Sequence, residues 1–117
     1  MSLEHLTPPT YYFADHPIPG TEDWQHIASA EANIPYEWEE IHFWYSPTAK
    51  QYFWASGGGC SCSDLSDFIN TKSDFEHGTK NDALRALKRF TKNQYSDIPK
   101  DAVRACQDKI RQFKETA

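Results

Sequence analysis

The chain has 117 residues, a hydrophobic share of 38% and a charged share of 25%, values that fit one folded domain and exclude a membrane protein or a disordered tail. No apolar run approaches the ~18 residues of a membrane span, and the N-terminus lacks a signal-peptide pattern, so a soluble, intracellular protein is expected. The net charge of -5 is unevenly placed: residues 1–71 carry ten acids and one base (Lys50), whereas residues 72–117 carry seven acids and eleven bases.

The first 35 residues read as an arm broken by Pro8, Pro9, Pro17, Pro19 and Pro35, because proline at that density blocks long helices and central strands. Within it, Thr21 and the acids Glu22 and Asp23 suit the start of a short helix running toward Ala32. Tyr11, Tyr12 and Phe13 are expected to pack the arm onto the body.

Residues 36–56 carry the clearest β pattern. Trp38–Tyr45 and Gln51–Ala55 are rich in aromatic and β-branched residues and flank the turn-forming Ser46-Pro47-Thr48-Ala49-Lys50, which predicts an antiparallel hairpin over about 37–55. Alternation sends Ile41, Phe43 and Tyr45 to one face and Trp38, His42 and Trp44 to the other. A hairpin alone is marginal, so a third strand is expected from residues 11–35. The glycines Gly57–Gly59 are expected to end the second strand, and Ser63 or Asp64 to cap a short helix over Leu65–Asn70.

Downstream, Ala83–Thr91 has helical periodicity. Leu84, Leu87 and Phe90 share one face with Ala83 and Ala86, and Arg85, Lys88, Arg89 and Lys92 occupy the other. Thr79 or Asn81 is its expected cap. A last helix starts near Pro99 and runs to about Glu115, with Ala102, Val103, Cys106, Ile110 and Phe113 on its apolar side. The expected fold class is α+β: a small antiparallel sheet centred on the hairpin and packed against two or three C-terminal helices, in one domain over 1–117.

The candidate chemistry centres on Gly57-Gly58-Gly59-Cys60-Ser61-Cys62-Ser63-Asp64. The run lacks the Lys-Ser/Thr ending of a phosphate-binding loop and the spacing of a dinucleotide fingerprint. Cys60 and Cys62 are separated by one residue, whereas zinc knuckles use two to four and redox pairs use two. A metal or thiol site at Cys60 and Cys62 is therefore the alternative reading, with Cys106 as a third sulfur. An odd cysteine count without a secretory signal favours reduced thiols, and close spacing argues against a Cys60–Cys62 bridge. No cofactor and no catalytic residues are expected. The basic stripe of the Ala83–Thr91 helix is short and the protein acidic, so nucleic-acid binding is not expected. Glu39 and Glu40, adjacent on a strand, point to opposite faces and cannot act together as acid and base.

The segment 36–92 resembles an uncharacterised family of small proteins from actinobacteria and their phages. The matching residues are Trp44, Tyr52, Trp54, the motif Gly59-Cys60-Ser61-Cys62, and the stretch Asp74-Phe75-Glu76-His77-Gly78-Thr79-Lys80. Members often carry proline soon after the second cysteine, where this chain has Ser63-Asp64. The resemblance implies a phage or prophage setting and no mechanism. Together with the two-faced aromatic hairpin, it leads to the expectation of a non-enzymatic accessory protein, monomer or weak homodimer, that binds a host protein. Trp38, His42, Trp44, Trp54, Glu39 and Glu40 are the expected contact residues, since tryptophan and tyrosine are enriched at interface hot spots.

Overall fold

The structure is a computed structural model that describes residues 18–92 and 96–115. Tyr11, Tyr12, Phe13 and most of the proline-rich arm lie outside the described residues. Four strands form an antiparallel meander: β1 (Gln25–Ile34), β2 (Glu37–Ser46), β3 (Gln51–Cys60) and β4 (Glu76–Gly78), adjacent in that order. Two helices, α1 (Lys80–Thr91) and α2 (Lys100–Gln112), cover one face of the sheet. The class is α+β. The expected two or three C-terminal helices are corrected: the described residues hold two helices, and α2 alone is C-terminal. The helix expected over Leu65–Asn70 is a single 3-10 turn, Leu65–Asp67, capped by Asp64. Among the described residues no helix is long and apolar enough to cross a membrane.

β1 replaces the helix expected before Ala32. Alanine favours helices locally, yet Ala28, Ala30 and Ala32 alternate along β1 and all are buried in the helix-side core. Period two sets the outcome, because each small side chain lets α2 approach the sheet closely. A register shift between His26 and Ala28 marks a bulge.

β2 and β3 pair in unbroken register from Glu37–Cys60 to Ser46–Gln51. Ile41, Phe43, Tyr45, Tyr52 and Trp54 face the helices and meet Ala83, Ala86, Leu87, Cys106 and Ile110. The hairpin's loop is braced from outside: Asp23 Oδ2 accepts hydrogen bonds from Ser46 Oγ at 3.0 Å and from the Thr48 amide at 3.1 Å. Burial would raise the Asp23 pKa, but these bonds outweigh it and hold the carboxyl below its ordinary range.

The glycine run continues β3 rather than ending it. A Cβ on Gly57 or Gly59 would stand 3.1 or 3.2 Å from atoms of the Trp38 indole, so the missing side chains make room for the ring to lie against the strand.

The second face of the sheet has its own core. After β3 the chain crosses back through the turns Leu65–Asp67 and Lys72–Asp74 and lays Leu65, Ile69 and Phe75 over Trp44, Phe53 and Ala55, with Ile18 and Trp24 completing the cluster. Trp24 stacks on Phe53 with ring centroids 4.0 Å apart and meets the Phe75 edge at 4.9 Å. Offset and edge-on contacts of this kind add to area burial.

The helices are fixed at their ends. Thr79 and Asp82 form the capping box of α1, each side chain accepting from the other's backbone amide, so two otherwise unpaired donors are satisfied. Lys80 Nζ donates to the carbonyls of Arg111 and Phe113 at 3.1 and 2.9 Å and ties the start of α1 to the end of α2.

Candidate functional site

The sheet separates the expected contact residues by depth. Trp44 and His42 are fully buried and Trp54 nearly so; Trp54 lies in the helix-side core and Trp44 in the opposite one. None of the three offers a surface to a partner. Their aromatic character made them expected contacts; the helices cover Trp54, and Leu65, Ile69 and Phe75 cover the Trp44 face. Glu39 lies on the helix side, where its Oε1 accepts from the Asp97 amide at 2.9 Å. Its role is to anchor the lead into α2. Glu40 points to the other face, beside His42.

The exposed aromatic surface sits at the β1–β2 end of the sheet. Tyr36 is 83% exposed and Phe68 59%, while Trp38 is half-buried between the strand and Phe68, ring centroids 6.2 Å apart. Trp38 is held in place by its Nε1, which donates to Ser63 Oγ at 3.3 Å. Tyr36 forms the two-residue turn with Pro35 and has φ 65°. Proline followed by a positive φ is the pattern of a type II turn, whose third position ordinarily belongs to Gly or Asn. A tyrosine there carries backbone strain, and such strain gathers at functional positions. The Ser61 amide clamps the turn by donating to the Tyr36 carbonyl at 2.8 Å.

That clamp comes from the Gly-Cys-Ser-Cys segment. Cys60 pairs with Glu37 at the end of β3, and the Ser63 amide donates to the Cys60 carbonyl at 3.1 Å, closing a tight turn. The structure joins Cys60 to Cys62 in a disulfide with Cα atoms 5.3 Å apart. This corrects the expectation of reduced thiols at Cys60 and Cys62. Cys106 is free and buried in the helix-side core, where burial pushes its thiol up to about 12, the nearby Lys109 charge opposing. It does not join Cys60 and Cys62 in a three-sulfur site.

Acidic side chains border the aromatic end: Glu37, Asp64 and Asp67 are all exposed. Asp64 and Asp67 also bind backbone amides of their own turn. The sequence reading missed Tyr36 and Phe68. The Pro35-Tyr36 pair was the available signal, since a bulky residue at that turn position is unusual; Phe68 gave none, reading as one more apolar residue beside Leu65 and Ile69.

The chain belongs to a family described as a domain of unknown function (DUF7574), whose profile matches residues 21–116. No curated protein and no solved structure matches it.

Proposed function

We propose that this domain is a non-enzymatic binding protein whose Tyr36–Trp38–Phe68 end docks on a basic surface of a protein partner. The observation that carries the reading is Tyr36, 83% exposed on a left-handed backbone that the Cys60–Ser63 turn holds in place. Exposed aromatics on a rigid support supply contact area at low entropic cost. The bordering carboxylates favour a basic partner and speed its encounter. The resemblance of the Gly-Cys-Ser-Cys segment to small actinobacterial and phage proteins supports a phage or prophage accessory role, with a host protein as the partner.

The test is affinity capture from a bacterial host with the wild-type chain and with a Tyr36→Ser, Phe68→Ser double variant. Both positions are exposed, so the variant should keep its fold by circular dichroism. The expected result is one host protein retained by the wild type, released by salt, and lost with the double variant. Equal recovery of the same protein by a folded double variant would remove this surface from the interface.

A further inference from the structure

The face of β1 and β2 turned away from the helices holds a second cluster, set apart from the aromatic end by its chemistry. Glu31 stands directly opposite Glu40, and Ser29 opposite His42. Period two therefore brings Glu31, Glu40 and His42 out on one face. One ligand atom of each lies within 4.8 Å of the other two, and His42 Nε2 is 3.3 Å from Glu40 Oε1. The His42 side chain is 0% exposed and that of Glu40 15%, while Glu31 is exposed. The set thus runs from the interior to solvent.

Two carboxylates directly opposed across an antiparallel pair repel one another. A positive charge between them converts that repulsion into attraction, and a fully buried imidazole beside them adds a nitrogen ligand. We propose that Glu31, Glu40 and His42 bind one divalent transition-metal ion of the zinc class, through one carboxylate oxygen from each glutamate and Nε2 of His42.

The donor set selects the class of ion. Calcium and magnesium take oxygen ligands throughout, whereas a mixed imidazole and carboxylate set suits zinc and its neighbours. Zinc bonds of about 2.0–2.2 Å place tetrahedral ligands roughly 3.3–3.5 Å apart. The His42–Glu40 pair already has that spacing at 3.3 Å. Glu31, exposed on its strand, closes the remaining distance by a change of rotamer. Two paired strands fix the Cα positions, so little backbone ordering remains for the metal to drive. Three protein ligands leave a fourth position, and the exposed Glu31 side gives the ion its path in. A second imidazole, that of His26, has its ring centroid 5.8 Å from that of His42.

The test is calorimetric titration of the chelator-stripped full chain with zinc chloride, paired with thermal melts. The expected result is one zinc per chain, a melting temperature raised by zinc, and affinity at least tenfold weaker in Glu31→Gln and in Glu40→Gln. Glu31 is exposed, so its variant keeps the fold and isolates the ligand effect. A Cys60→Ser, Cys62→Ser double variant should bind zinc as the wild type does, and cobalt bound in place of zinc should give a spectrum without sulfur-to-metal charge transfer. Three results would overturn the proposal: no saturable binding by about 1 mM zinc, affinity unchanged in both glutamate variants, or binding lost with the two cysteines.

Discussion

A Cβ on Gly57 would stand 3.1 Å from the Cη2 atom of Trp38. The indole therefore uses the bare backbone of β3 as its bed, and the glycine run that reads as a strand terminator is part of the strand. Gly57→Val should force the ring off its seat and break the Trp38–Ser63 hydrogen bond. Overpacking of this kind costs about 1–3 kcal/mol. Urea denaturation should show a loss in that range, with the Trp38 indole N–H resonance shifted. An unchanged midpoint would mean that the ring and β3 have slack between them.

Trp44 has no exposed surface and meets the edge of Phe75 at a centroid distance of 5.5 Å. Trp44→Ala should cost about 3–5 kcal/mol through lost burial and an unfilled cavity. Against a total stability of roughly 5–15 kcal/mol for a domain, the variant should melt far lower or fail to fold. A variant as stable as the wild type would contradict the burial of that face.

Much of the hairpin was legible because its signals are local. Aromatic alternation and a proline turn define β2 and β3, and a Thr-x-x-Asp pattern marks the start of α1. Three features were not. Thr21, Glu22 and Asp23 read as the start of a helix, so the third strand expected within residues 11–35 was not placed at Gln25–Ile34, where the alternating Ala28, Ala30 and Ala32 pack against the helices. The path of residues 63–75 across the Trp44 face depends on long-range contacts, and without it Trp44 and His42 seemed to need a partner. The cluster of Glu31, Glu40 and His42 exists only once the β1–β2 register brings residues 31 and 40 face to face.

Stability should fall at high pH. Burial lifts the Cys106 thiol from 9.0 to about 12. Burial also raises the Tyr45 and Tyr52 phenols, and the hydrogen bond from Tyr52 to Glu115 at 2.7 Å raises Tyr52 further. Each group is neutral when protonated and keeps its proton longer in the folded state. Between pH 9 and 12 the unfolded chain therefore binds fewer protons, and the free energy of unfolding declines as pH rises. Denaturation midpoints at pH 7, 9 and 11 should fall in that order, and Cys106→Ala should flatten the Cys106 part of the slope at a cost of packing. In the folded protein at pH 8, Cys106 should resist alkylation until urea opens the core.

Tyr36 allows stability and binding to be pulled apart. Its φ of 65° puts a residue with a Cβ where glycine is comfortable, at a cost of about 1–2 kcal/mol. Its side chain is 83% exposed and contributes little packing. Tyr36→Gly relieves the strain, while the extra freedom of glycine in the unfolded chain takes back about 0.4–1 kcal/mol. The net change should lie between neutral and about 1.6 kcal/mol of added stability, read from urea denaturation. The same substitution removes the aromatic ring proposed to contact the partner, so capture of that partner should fall sharply in a protein at least as stable as the wild type. A structural role for Tyr36 gives the opposite pattern, with stability lost and any effect on capture following from it. If Tyr36→Gly is instead stable and binds the partner as before, the strained turn serves neither end, and Phe68 with Trp38 must carry the contact alone.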